Sequence, residues 1–170
     1  MKILCVIDMQ NDFIDGALGT TEAVAIVDNV RDKIELYRKN GDMVIFTRDT
    51  HYENYMETSE GKNLPVPHCI KDSDGWQISD RLEVGESTII DKPTFGSVEL
   101  SKYIAGLTDV EEIEFVGLCT DICVISNVLL LKAQLHEISI SVDSSCCAGV
   151  TPESHNNALN AMRMCQIKII

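Results

Sequence analysis

The chain has 170 residues, of which 45% are hydrophobic and 24% charged, a composition that suits one globular domain with a buried core. Its formal net charge of −13 argues against a nucleic-acid partner and against an anionic membrane surface. No apolar run reaches the roughly 18–20 residues of a membrane-spanning helix, and Asp8 interrupts any signal-peptide core, so we expect a cytoplasmic protein with no membrane partner. The seven cysteines contain no CxxC pair, which indicates free thiols rather than a disulfide framework.

Six short apolar runs have the length and the β-branched composition of buried strands. They lie at 3–7, 43–47, 88–90, 113–116, 138–142 and 167–170.

Three segments between these runs have helical periodicity. The first, at 22–39, places apolar residues on one face opposite charged residues: Val24, Val27, Val30, Ile34 and Tyr37. The second, at 121–135, follows Thr120 and Asp121, which we interpret as capping residues. The third, at 152–164, begins after Thr151 as N-cap and has proline at its first position.

Strands that alternate with helices predict an α/β fold with a mostly parallel sheet covered on both faces. No repeat or linker divides the chain, so we expect residues 1–170 to form a single domain. The segment 50–87 is a long connection rich in Pro, Gly, Asp and Ser, and loops of that length inside a compact domain are usually functional.

Polar side chains follow five of the predicted strands. Since sites in open α/β sheets form beyond the carboxyl ends of the strands, these residues are expected to converge at one edge. They are Asp8, then Asp49 and His51, then Asp91 and Lys92, then Cys119 to Cys123, and finally Asp143.

The chemistry of this edge points to a cysteine nucleophile. Cys123 is expected in the first turn of a helix, where backbone N–H groups and the helix dipole should lower the pKa of its thiol. Asp8 can take the thiol proton if it is desolvated, and Lys92 can stabilise the negative charges. The backbone amides of Cys119 and Cys123 are natural oxyanion donors.

A second set of residues has the types of a metal site. Asp49 and His51 form a D-x-H pair, and His68 from the following loop completes a facial set of one carboxylate and two imidazoles. Glu60 is a possible further oxygen ligand. The other two histidines, His136 and His155, are interpreted as surface residues.

These residues together resemble a known family. The motifs are V-I-D-M-Q-N-D-F at 6–13, R-D-T-H at 48–51, L-P-V-P-H-C at 64–69, D-K-P at 91–93 and G-L-C-T-D-I-C-V at 117–124. In this order they resemble the isochorismatase-like cysteine hydrolases, and within them most closely the nicotinamidases, also called pyrazinamidases.

The resemblance implies a three-layer α/β/α fold around a six-stranded parallel sheet. It implies a catalytic triad of Asp8, Lys92 and Cys123 and a cis peptide bond between Leu118 and Cys119. It also implies one divalent metal ion, zinc or else iron or manganese, on Asp49, His51 and His68, with Glu60 as a ligand in some members only.

The implied reaction is hydrolysis of a small amide, above all of nicotinamide to nicotinate and ammonia. Isochorismatases proper lack the cysteine and the N-carbamoyl amidohydrolases lack the metal set, so both residue sets favour a nicotinamidase. Phe13 and Phe95 are candidates to stack on a heteroaromatic ring. Relatives of this kind commonly form homo-oligomers, either dimers or tetramers.

Two other interpretations stay open. One keeps the triad and changes the substrate to another small amide, a ureido or a carbamoyl compound. The other is a non-catalytic binding or redox-sensing α/β protein that uses Cys119, Cys123 or the Cys146–Cys147 pair. A nucleotide-binding Rossmann domain is disfavoured because no G-x-G-x-x-G follows the first strand.

Overall fold

The computed structural model describes residues 1–170, and its centre is one six-stranded sheet. The strands are β1 (Lys2–Ile7), β2 (Met43–Asp49), β3 (Thr88–Lys92), β4 (Glu112–Leu118), β5 (Ser139–Ala148) and β6 (Lys168–Ile169). Their order across the sheet is β3-β2-β1-β4-β5-β6, and every neighbouring pair is parallel. The six predicted strands and the α/β class are confirmed.

Helices cover both faces of the sheet. They are α1 (Asn11–Ile14), α2 (Thr21–Lys39), α3 (Ser59–Asn63), α4 (Val98–Ala105), α5 (Ile125–Gln134) and α6 (Pro152–Met164), with a 3₁₀ turn at Tyr55–Glu57 and a π turn at Thr120–Val124. None of these helices combines the length and the apolar character needed to cross a bilayer.

The core consists of two clusters, one on each face of the sheet, because successive strand side chains point in opposite directions. Leu4 and Phe46 pack with the buried stripe of α2 on one face. Ile3 and Ile45 pack on the other face with residues of α4, α5 and α6. Burial on both faces explains why these strands are almost continuously apolar in sequence.

Three details differ from the sequence prediction. Val24 is 40% exposed, and the buried face of α2 instead begins with Ala23. Helix α4 was not predicted; its N-cap Ser97 accepts a hydrogen bond from Leu100 N–H, and its eight residues are too few for a clear period. Strand β5 continues past Asp143 to Ala148, because its polar stretch still pairs with β4 across an irregularity in register.

Gly117 lets the two central strands approach each other where the site begins. Its φ is +116°, and a Cβ there would lie 2.1 Å from the carbonyl oxygen of Ile7. The backbone atoms of β1 cannot yield as a flexible side chain would. Only glycine therefore fits at this position.

We predict that Gly117→Ala destabilises the protein by at least about 3 kcal/mol, because the new methyl group would overlap the backbone of β1. Gly41→Ala is the matched control, since Gly41 also has a positive φ of +76° but no atom lies within 4 Å of its Cβ position. That variant should lose only about 1 kcal/mol. Urea unfolding measures both values, and equal losses would contradict the backbone clash.

Candidate active site

The carboxyl ends of β1 to β4 meet above a cavity of about 700 Å³. Asp8 follows β1, Asp49 and Lys92 are the last residues of β2 and β3, and Cys123 lies in the π turn after β4. The parallel sheet thus brings together four residues from four separate segments. Asp49, Cys119 and Cys123 line the cavity, and so do Glu60, His68, Phe13 and Phe95.

Lys92 is the cation at the centre of this group. Its ammonium lies 2.6 Å from Asp8 Oδ2, 3.4 Å from Asp49 Oδ1 and 3.5 Å from Cys123 Sγ, and its side chain is fully buried. It also donates to the carbonyl of Thr94 at 3.1 Å. Burial lowers the pKa of Lys92, but the nearby charges, Asp8 foremost, raise it above its ordinary value, so the side chain stays protonated.

Asp8 is held in an unusual conformation. Its φ is +47°, in the left-handed region that non-glycine residues seldom adopt. Oδ1 accepts a hydrogen bond from the Thr47 hydroxyl at 2.6 Å, whereas Oδ2 has no hydrogen-bond partner besides its ion pair with Lys92. Burial raises the pKa of Asp8 and outweighs the lowering effect of Lys92. Asp8 is fully buried, which meets the condition of desolvation that the base role requires.

Cys123 is buried, and its environment differs from the prediction. The expectation of a lowered thiol pKa at a helix start is wrong for this geometry, because burial raises the pKa of Cys123 well above its ordinary value. Lys92 acts in the opposite direction but does not compensate. The carbonyl of Cys123 accepts from the Asn127 amide at 2.8 Å, which fixes the turn that carries the thiol.

The Leu118–Cys119 peptide bond is cis, as the resemblance implies. The Cys119 N–H donates to no protein acceptor, while the Cys119 carbonyl accepts from Ile122 and Val124. Burial raises the pKa of the Cys119 thiol to about 12. Cys119 therefore presents a free amide beside a thiol that resists ionisation.

The residues predicted as metal ligands form one cluster. Suitable ligand atoms of Asp49, His51, Glu60 and His68 all lie within 4.8 Å of one another. His51 Nε2 lies 3.0 Å from Asp49 Oδ2 and 3.5 Å from Glu60 Oε1, and His68 Nε2 lies 3.7 Å from each of the same oxygens. Glu60 reaches the cluster from the short helix α3.

This donor set fits a divalent transition metal. Imidazoles and carboxylates are ligands that zinc and non-haem iron take in catalytic sites, commonly as two histidines with one carboxylate. The Val66 carbonyl lies 2.8 Å from His68 Nδ1, an arrangement that directs Nε2 of the same ring at the cluster. Hydrogen bonds with Asp49 and Glu60 outweigh burial and raise the pKa of His51 to about 9.

Two residues that support the site were not singled out from the sequence. Gln10 is fully buried, donates to the carbonyls of Asp49 and Trp76, and accepts from Asp49 N–H at 2.7 Å. Asp12 accepts from the N–H of Cys69, next to His68. Both lie in the D-M-Q-N-D motif, but sequence spacing alone does not show which partners they hold.

His155 was predicted to be a surface residue, and the structure corrects this prediction. It is only partly exposed, and its Nδ1 lies 2.8 Å from the Thr120 hydroxyl at the base of the π turn. Neither Thr120 nor Asp121 caps a helix as predicted: Asp121 accepts from Val150 N–H instead. Thr120 thus joins the turn to α6, and Asp121 joins the turn to the segment just before α6.

Two carboxylates expected at this edge do not reach it. Asp91 points to the surface and pairs with Arg48 at 2.7 Å. Asp143 lies in the middle of β5 and pairs with Lys33 at 2.7 Å. Asp91 is directed away from the site because successive side chains of β3 alternate between faces and Lys92 takes the inner position. Asp143 stays short of the edge because β5 continues to Ala148.

Comparison with known proteins agrees with this geometry. Residues 2–170 match the family model described as the isochorismatase domain. The chain is 29% identical to a pyrazinamidase of Pyrococcus horikoshii solved in complex with zinc, with a TM-score of 0.86 over 99% of this chain and 98% of the other. It is 28% identical to an isochorismatase family protein of Bacillus subtilis (94% and 92% covered) and 25% identical to the nicotinamidase of Escherichia coli (96% and 90% covered).

The fold and these relatives define an amide-bond hydrolase. The chain belongs to the isochorismatase family.

We predict that His68→Ala weakens zinc binding by at least about 100-fold, because it removes one imidazole from the cluster. His136→Ala, which changes an exposed histidine away from the cluster, should leave zinc affinity unchanged. Calorimetric titration of metal-stripped protein measures both, with circular dichroism to verify folding. Equal zinc affinity in the His68 variant and the parent would contradict the assignment.

A second prediction concerns pH. Burial lowers the pKa of His155 below its ordinary value of 6.5. As the pH falls, the unfolded chain therefore takes up a proton at this residue at a higher pH than the folded protein does. Below about pH 6.5 the parent should therefore lose free energy of unfolding faster than His155→Gln does. Urea unfolding between about pH 5 and about pH 8 tests this, with His136→Gln as control; parallel curves for the parent and His155→Gln would contradict it.

Proposed function

We propose that this protein is a cysteine-dependent nicotinamidase that forms nicotinate and ammonia through a thioester. The observation that carries the proposal is that Cys123 and the cluster around Asp49 and His68 line the same cavity. A nucleophile and a set of metal ligands can therefore act on one bound molecule. We further propose that residues 1–170 act as one hydrolase domain.

The first half-reaction begins with the neutral Cys123 thiol. Asp8 takes the thiol proton as the sulfur attacks the carboxamide carbon, and its raised pKa makes it a stronger base than an ordinary carboxylate. Lys92, at 3.5 Å from the sulfur, stabilises the negative charge that forms. The amides of Cys119 and Cys123 hold the oxyanion, and each such donor is typically worth about 3 kcal/mol of barrier.

The remaining steps release ammonia, hydrolyse the thioester and return the enzyme to its starting state. Asp8 gives its proton to the departing nitrogen, so that ammonia leaves and a thioester to Cys123 remains. Water then attacks the thioester, its proton passes to Asp8 and on to the released sulfur, and the acid leaves. The net reaction consumes one water for each amide bond broken.

The metal cluster supports ring positioning. We propose that Asp49, His51 and His68 hold one zinc ion, with Glu60 as a further ligand. When bound, the ion would supply a coordination point for the pyridine nitrogen and so orient the ring. Phe13 lines the cavity with its ring centroid 5.4 Å from that of His68, where it can pack against the substrate ring.

Electrostatics favours a neutral amide over a carbamoylated amino acid. No arginine or lysine side chain lines the cavity, whereas Asp49 and Glu60 do. Away from the proposed metal ion, a substrate carboxylate would therefore lose its hydration without gaining a cationic side chain as partner. A neutral carboxamide has much less hydration free energy to lose on binding.

A redox-sensing role has less support. All seven cysteines are free. Burial raises the pKa of Cys146 to about 12 and that of Cys147 higher still, so neither thiol forms the reactive thiolate at neutral pH. Homo-oligomer formation stays a prediction.

We predict that the zinc-loaded protein releases ammonia from nicotinamide and that Cys123→Ala lowers kcat by at least about 10⁴-fold. Cys119→Ala is the matched control, because it removes a thiol from the same cavity and keeps the backbone amide. It should retain most of the activity. An active Cys123→Ala enzyme with unchanged thermal stability would contradict the mechanism.

A further inference from the structure

Several large apolar side chains that line the cavity are exposed to solvent at its mouth. Three large hydrophobic side chains expose substantial area there: Leu64 (38%), Phe95 (41%) and Val150 (51%). They come from three separate loops, after α3, after β3 and after β5. Exposed apolar side chains that converge on a catalytic cavity mark a surface that a ligand covers.

The cavity is also larger than the proposed substrate requires. Its volume of about 700 Å³ falls within the roughly 300–1,000 Å³ that suits drug-sized ligands. Nicotinamide is a single ring with one carboxamide, and it would occupy only the floor near Cys123 and His68. The space toward Leu64 and Val150 would stay in contact with water.

We propose that Leu64, Phe95 and Val150 form a subsite for an uncharged apolar substituent, so that the preferred substrates are heteroaryl carboxamides substituted on the ring. This inference rests on the proposed function. It names the substrate class of the same active site.

The chemistry of the ring decides where the substituent sits. In nicotinamide the ring nitrogen and the carboxamide flank the same carbon, C2, and C5 is the ring position opposite. If the carboxamide faces Cys123 and the nitrogen faces the His51–His68 cluster, C5 points away from both polar anchors. A substituent on C5 is then directed from the floor toward the apolar mouth.

The charge of the lining sets the kind of substituent. An anionic group has no lysine or arginine to meet in this cavity. An alkyl or aryl group would instead remove apolar area of Leu64, Phe95 and Val150 from water. Each fully buried methylene tightens binding by up to about fourfold.

The test compares nicotinamide with 5-propylnicotinamide on the zinc-loaded protein. Calorimetry on Cys123→Ala, in which neither amide is consumed, gives the two dissociation constants, and ammonia release by the parent enzyme gives kcat/KM. Because the mouth is partly open, we expect 5-propylnicotinamide to bind roughly tenfold more tightly. Its kcat/KM should be at least equal to that of nicotinamide.

Matched variants locate the effect. Leu64→Ser should reduce the preference for 5-propylnicotinamide by about threefold. Leu36→Ser removes a leucine that is 51% exposed on α2 and does not line the cavity, so the preference should not change. Val150→Ser provides a second test of the subsite.

The outcomes separate the two proposals. Weaker binding of 5-propylnicotinamide than of nicotinamide, with ammonia released from nicotinamide, would overturn the subsite and leave the nicotinamidase intact. Tighter binding of the propyl compound without ammonia from either amide would support the subsite and overturn the nicotinamidase. An equal loss of preference in Leu64→Ser and Leu36→Ser would also overturn the subsite.

Discussion

The site depends on one fully buried cation. The Lys92 ammonium contacts Asp8 at 2.6 Å and Asp49 at 3.4 Å, and removing one partner of a buried ion pair typically costs about 3–5 kcal/mol. Asp49 divides its oxygens between two tasks, since Oδ1 faces Lys92 while Oδ2 faces His51 and His68. The proposed nucleophile and the proposed metal ligands are therefore joined through one carboxylate. A change in charge at Cys123 or at the metal ligands would therefore alter the electrostatic environment of the other group.

Rigid backbone features place these charges. Gly117 lets β4 lie against β1, and Gln10 ties the end of β1 to that of β2 through two hydrogen bonds with Asp49. A third hydrogen bond joins Gln10 to the carbonyl of Trp76 in the loop after β2. The Asn127 amide donates hydrogen bonds to the carbonyls of Cys123 and Phe95, and so connects the turn that carries Cys123 to the loop after β3. Each carboxylate, amine and thiol thus sits on an element whose position a neighbouring strand determines. Such support keeps a buried polar group from relaxing toward water.

Much of this arrangement could be predicted from the sequence, because strand runs and the rule for sheet edges depend on local patterns. Strand ends placed Asp8, Asp49 and Lys92 on one edge, and the structure brings them together. The pKa of Cys123 could not be predicted, since it depends on how completely the folded chain excludes water. The role of His155 was also missed, because its partner Thr120 lies 35 residues away. Long-range contacts and burial leave no local signal.

The central claim is that Cys123 supplies the attacking sulfur. Pyridine-3-carbaldehyde labelled with ¹³C at the carbonyl carbon tests it directly, because an activated thiol adds to an aldehyde and the adduct mimics the tetrahedral intermediate. In ¹³C NMR we expect the parent enzyme and Cys119→Ala to convert the aldehyde signal to that of a tetrahedral carbon bonded to sulfur, while Cys123→Ala does not. The same tetrahedral signal in Cys123→Ala, or its loss in Cys119→Ala alone, would show that Cys123 is not the attacking thiol.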